Sequence, residues 1–156
     1  MKLQDINKSF ARQMYFEAIK YADYVNETYL NEHKRLGVAW MGISHGHILI
    51  NLYTDGEMTM TEITNRIGRK APTTTVLVKR LKKEGYVSSR ISEEDSRVSL
   101  ILLTDKGRTH CENMESFLSD FCEAGEKSVT TEEVETVVRI FKKVRKNIEL
   151  ELNNED

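Results

Sequence analysis

Two long amphipathic stripes, one toward each end of a 156-residue chain, limit what this sequence can fold into more than any other feature. Ile6, Phe10, Met14, Ala18, Tyr21, Val25 and Tyr29 recur at steps of three or four, so they share one face of a helix spanning about residues 5–36. At the α-helical rise that helix is about 45 Å long, more than a small domain can cover. A second stripe, Val134, Val137, Phe141, Val144, Ile148 and Leu152, marks a helix over about 132–152. A third, Cys111, Met114, Leu118 and Phe121, precedes it. Stripes of this length need a partner, and the simplest one is a second copy with both ends intertwined. One Pro and eight Gly leave few breakers, which favours helices over a many-turned sandwich.

The middle of the chain is punctuated differently. Ser44 is placed to cap a helix over His45–Thr54, with Gly56 as its left-handed stop. Thr59-Met60-Thr61-Glu62 is a capping box opening a short helix with Ile63 and Ile67 inward and Gly68 at its end. Arg69-Lys70-Ala71 leads to Pro72, expected as the first residue of a helix running to about Glu84 and ended by Gly85. Two short helices joined by a tight turn form a helix-turn-helix. Two strands are expected next, Tyr86–Ile91 and Arg97–Leu103, the second with Val98, Leu100 and Leu102 on one face, around a polar loop, Ser92–Ser96. Thr104 is placed to cap the next helix. The expected fold class is all-α with a small β-hairpin wing. A winged helix-turn-helix over 39–107 is flanked by a helical dimerisation region, 1–38 and 108–156, in one intertwined domain.

The net charge of −2 speaks against a polybasic nucleic-acid binder only until it is split by region. Between Glu57 and His110 there are eleven basic and seven acidic residues, a net of +4, while the remainder has twelve basic and eighteen acidic, a net of −6. A basic middle on an acidic frame suits a module that faces a polyanion. The helix from Pro72 concentrates this. With Leu81 pointing inward, Thr74, Leu77 and Val78 fall on the core side, Pro72, Val76, Lys79 and Lys83 point outward, and Thr73, Thr75, Arg80 and Lys82 flank them. No acid occurs from Arg69 to Lys83. Hydroxyls and cations can bond phosphates or base edges, and a Val or Thr methyl can touch a thymine methyl. The absence of an apolar run of about 18 residues argues against a membrane span. Met1-Lys2-Leu3-Gln4-Asp5 does not read as a signal peptide, and two cysteines suit a reducing cytosol. A cytoplasmic location is expected. No glycine-rich phosphate loop, nucleophile elbow or paired-carboxylate site points to an enzyme.

The run Leu77-Val78-Lys79-Arg80-Leu81-Lys82-Lys83-Glu84-Gly85-Tyr86-Val87, then Arg90, Asp95-Ser96-Arg97 and Leu103-Thr104-Asp105-Lys106-Gly107-Arg108, resembles the multiple-antibiotic-resistance-regulator (MarR) family. The likeness is dense over about 50 residues and architectural over nearly the whole chain. It implies a homodimeric, sequence-specific regulator of double-stranded operator DNA, a repressor released by a small ligand, with recognition helices in major grooves and wings in minor grooves. The DNA-contact residues it implies are Lys70, Thr73, Thr74, Thr75, Val76, Lys79, Arg80, Lys83, Asp95 and Arg97. Asp95 would pair with a basic group and brace the wing, and Arg97 would approach the minor groove or the backbone. Two positions depart from the family pattern. Val76 stands where many members carry Arg, which shifts base reading toward Thr73, Thr75 or Arg80. Glu93 and Glu94 at the wing tip would repel phosphate. A winged-helix protein-interaction module without DNA binding is the alternative these departures leave open.

The resemblance also implies a small aromatic or anionic effector in a cleft at the junction of dimer helices and DNA lobe, with Trp40, Met41, His45 and His47 as candidates. A zinc-responsive member is a further alternative, with His45, His47, His110, Cys111 and Glu27 as ligand types. His45-x-His47 cannot place both rings on one helical face, and no CxxC or HExxH spacing occurs, so neither metal nor cofactor is expected. Cys111 and Cys122 sit about 16 Å apart along one helix and cannot bridge within it.

Overall fold

The computed structural model describes Asp5 and residues 9–152. Helix α1 spans Phe10–Arg35, α2 Ile43–Asp55, α3 Met60–Ile67, α4 Ala71–Lys83, α5 Asp105–Glu126 and α6 Thr131–Leu152. Strands β1 (Met58–Thr59), β2 (Val87–Ile91) and β3 (Ser99–Leu103) form an antiparallel sheet in the order β1-β3-β2. Ile6 of the N-terminal stripe, Met1–Gln4 and the side chain of Leu152 lie outside the described residues.

The chain divides into two compact units. One is Ala22–Leu118; the other joins the residues up to Tyr21 with those from Ser119 on. The divisions fall inside α1 and α5. The second half of α1 and the first half of α5 lie in the winged unit, where Val25, Tyr29, His33, Cys111 and Met114 are buried. In the other unit, α1 and α6 line an open groove of about 280 Å³ between Met14, Ala18, Phe141, Val144 and Ile148.

The core of the winged unit gathers Met41, Ile48, Leu49, Leu52, Ile63, Val78, Leu81 and Val87. Burying each such side chain is worth roughly 2 kcal/mol. Local chemistry sets the element ends. The Thr59–Glu62 box is closed, with Glu62 N donating to Thr59 Oγ1 at 3.2 Å and Thr59 N to Glu62 Oε2 at 2.7 Å. Gly68 ends α3 as expected, in a left-handed conformation. Thr104 Oγ1 accepts from Gly107 N at 3.1 Å and so caps α5.

Four expectations are corrected. Helix α2 begins at Ile43 with Gly42 as its cap residue, not Ser44, because the His45 ring folds back and its Nδ1 accepts from Gly42 N at 3.3 Å. Gly56 has φ 85° and ψ −153°, an extended mirror-image conformation that leads the chain into a strand rather than a left-handed helix stop. Pro72 is the second helical residue of α4, since Lys70 is the cap and Ala71 the first. Strand β3 starts at Ser99, not Arg97, so Val98 lies outside it; Leu100 and Leu102 share one face, and it is Ile101 and Leu103 on the other that reach the core. Register decides this: Val87 opposes Leu103 and Ser89 opposes Ile101, and both parities of the run 98–103 contain apolar residues. Strand β1 was not expected. Its two residues pair Met58 with Ile101 and Thr59 with Leu100 and are too few to show alternation.

The Leu-Thr-x-x-Gly segment acts as a clamp. Thr104 N donates to Tyr86 O at 3.1 Å and Thr104 Oγ1 to Gly85 O at 2.6 Å. Gly107 approaches Tyr86 so closely that a Cβ there would lie 2.1 Å from its carbonyl oxygen. Gly107→Ala should therefore destabilise the chain by about 3 kcal/mol. Gly125→Ala, where a Cβ meets open space on α5, should stabilise it by up to about 1 kcal/mol. Urea denaturation of the two variants checks this pair.

Candidate nucleic-acid interface

Helix α4 is held to the core by Thr74, Val78 and Leu81, all buried. About 100° per residue then turns Pro72, Val76, Lys79 and Lys83 outward, where all are exposed. Thr74 is 0% exposed and its hydroxyl donates to Lys70 O at 3.3 Å, so it is removed from the DNA-contact set; it packs the base of the helix. Thr75 is exposed, but its hydroxyl donates to Ala71 O at 2.9 Å. Arg80 pairs with Glu84 at 3.0 Å, and its guanidinium lies 5.0 Å from the centre of the Trp40 ring. Lys82 donates to Ser89 Oγ on β2 at 2.6 Å. Lys70, Thr73, Lys79 and Lys83 remain exposed, with no side-chain hydrogen bond or ion pair among the described residues.

The wing is built by its own turn. Asp95 Oδ1 accepts from Arg97 N at 2.9 Å, Val98 N donates to Asp95 O at 2.9 Å, and Ser92 N to Val98 O at 2.9 Å. Asp95 therefore braces the turn through a backbone amide, as Asx turns do, and not through the basic side chain expected for it. Arg97 is exposed at this turn. Arg90 joins the wing to the residue before β1, its Nε donating to Glu57 at 2.9 and 3.1 Å. It also lies 3.6 Å from Glu93, partly offsetting one of the two acids at the tip.

The four effector candidates do not form one site. Trp40 and His45 meet edge to face at 5.3 Å, with Tyr86 5.9 Å from Trp40. Met41 is 0% exposed and belongs to the core, so it is withdrawn from the set. His47, two residues from His45 on α2, turns to the other side and approaches Tyr29 at 6.4 Å. Burial lowers the pKa of His45, so the ring at Trp40 is neutral at pH 7.

Sequence reasoning missed His33. Its spacing from Val25 and Tyr29 on the α1 stripe was the available signal. His33 is buried with Nδ1 2.6 Å from Met41 O, and its ring lies 5.5 Å from that of His110. Both Nε2 atoms are buried without a hydrogen-bond partner. No group of three His, Cys, Asp or Glu able to hold a metal occurs among the described residues. Burial pushes the Cys111 thiol up to about 11, so at neutral pH the free side chain is a thiol.

The family model described as "MarR family" matches residues 43–99, from the start of α2 into β3. A protein named "Uncharacterized HTH-type transcriptional regulator YdgJ" from Bacillus subtilis is 29% identical over 112 residues, covering 70% of this chain and 68% of that protein. "HTH-type transcriptional repressor IacR" from Pseudomonas putida is 28% identical over 109 residues, covering 70% of this chain and 65% of that one. Among solved structures, reduced AbfR bound to DNA superposes with a TM-score of 0.67 at 23% identity, covering 95% of this chain and 99% of its own. No described helix is long and apolar enough to cross a membrane.

Two expectations arise from this geometry. Lys79→Ala should reduce the salt dependence of DNA binding by about one released counterion, whereas Lys82→Ala, which removes a side chain already tied to Ser89, should change it less; fluorescence anisotropy across a salt series separates them. Burial lowers His33 and, with His33 beside it, takes His110 to about 4. The unfolded chain protonates these rings near pH 6.5. Stability is then complete above that pH and falls as pH drops from about 6.5 toward 4, by about 3 kcal/mol for His110. Chemical denaturation at pH 7 and 4.5 should show this loss, reduced in His110→Leu.

Proposed function

We propose that this chain, a DNA-binding transcriptional regulator of the MarR winged helix-turn-helix type over residues 43–99, works as a homodimeric repressor of an operator. The observation that carries the reading is the outward face of α4. Lys70, Thr73, Lys79 and Lys83 are exposed with no internal partner, and no acid interrupts the helix before Glu84. Lysines there can neutralise phosphates while the Thr73 hydroxyl and small side chains meet base edges. The exposed Arg97 at the wing turn suits a narrow minor groove or the adjacent backbone. The matched relatives are named as transcriptional regulators, one of them as a repressor, which supports regulation rather than catalysis as the activity.

A second copy supplies what the terminal helices lack. Phe10 is 59% exposed on α1 and Val137 51% on α6, with Phe141 and Ile148 also exposed. Large apolar residues on both terminal helices are better buried against another protomer. Two copies would then present α4 helices about 34–36 Å apart, one helical turn of DNA. A small aromatic anion would stack on Trp40 beside His45 and draw on the Arg80 guanidinium. The protein would act in the cytoplasm, with the DNA.

Selection of duplexes from a random pool by the purified chain tests this. A pseudo-palindromic site should emerge, bound with a steep salt dependence. Val137→Glu with Ile148→Glu should sediment as a monomer and lose the site. Equal retention of every duplex would overturn the reading.

A further inference from the structure

Half of the polar side chains at and along α4 are engaged in internal contacts. Thr74 is buried, the Thr75 hydroxyl is closed onto Ala71 O, and Lys82 is bonded to Ser89. Arginine, with its planar fork, is the best-matched bidentate reader of guanine, although a lysine can also reach its O6 and N7. Arg80 is the one arginine on α4, and its guanidinium is shared between Glu84 and the Trp40 ring. Between its free cations the face also offers an apolar patch. Val76 is 68% exposed among outward cations. Because the Thr75 oxygen turns back to the i−4 carbonyl, its Cγ2 methyl is the part left to solvent. Pro72 lies one turn before Val76. Val has one dominant rotamer in a helix, so docking this patch orders almost nothing.

We propose that Val76, together with the Thr75 methyl, is the specificity-determining contact for the 5-methyl group of a thymine in each half-site. This rests on the operator-binding reading above. In the major groove thymine alone presents a methyl, next to its O4 acceptor, and cytosine presents an amino group instead. Thr73 and Lys79 each lie three residues from Val76 and are therefore its neighbours on the helix surface. Both carry donors without an internal partner, suited to the thymine O4 or the flanking phosphates. The half-site is thus read through shape and a methyl group, with guanine recognition secondary.

The test uses the full-length chain and the duplex obtained by selection. Replacing thymine by uracil removes only the methyl. At one thymine per half-site, affinity should fall about 4-fold per methyl removed, with little change at other thymines. Val76→Ala should lose a similar factor, melt at the parent temperature because the side chain is exposed, and show no further loss with uracil. Cytosine at that position should bind worse than 5-methylcytosine. Unchanged binding to an all-uracil operator overturns the proposal, as does a full uracil penalty retained by Val76→Ala. If no duplex is preferred before any base is altered, the regulator reading fails and this one falls with it, a result visible before the uracil comparison begins.

Discussion

The carbonyl oxygen of Tyr86 is the point on which the winged unit turns. It accepts from Thr104 N, and Gly107 packs against it at a distance no side chain tolerates. Around it, Thr104 Oγ1 bonds Gly85 O and Lys106 Nζ bonds Glu84 O at 2.7 Å, with the Lys106 ammonium 4.4 Å from the Tyr86 ring centre. One small contact therefore ties the end of α4, the start of β2, the end of β3 and the start of α5. Buried backbone groups must be paired, and here the pairing also fastens the end of α4 to the start of α5. Thr74, Val78 and Leu81 fix the rotation of that helix about its own axis.

That rotation does not by itself make an interface. Four cations lie on the last two turns of α4, and the fold treats them unequally. Arg80 and Lys82 brace the helix against Glu84, Trp40 and Ser89, while Lys79 and Lys83 stay exposed. A bracing cation still contributes positive field, but one of its hydrogen-bond donors is engaged within the protein. The shorter side chains nearer the helix start, Thr73 and Val76 among them, are exposed beside the two unengaged lysines.

Much of this was legible because it is local. Capping at Thr59 and Thr104, the left-handed Gly68 and the helical stripes depend on neighbours a few residues away. What was misread depends on distant partners. Strand β1 exists because Met58 finds Ile101, more than forty positions on. The inward face of β3 was ambiguous until β2 set its register. Asp95 turned to an amide rather than a basic side chain because the wing turn brings Arg97 N within 2.9 Å. Thr74 is separable from Thr73 and Thr75 by helical phase alone, since it shares the buried face with Val78 and Leu81.

The sequence alone determined the order of elements, the winged helix-turn-helix and the basic character of its middle, since periodicity, caps and charge are properties of short stretches. Only the tertiary structure decided which polar groups remain available to a ligand. A hydroxyl or guanidinium is spent or free according to what folding brings beside it. This is how Ser89 and Trp40, neither of them on α4, come to hold two of its four cations, and how His33 and His110, far apart in the chain, become a buried neutral pair.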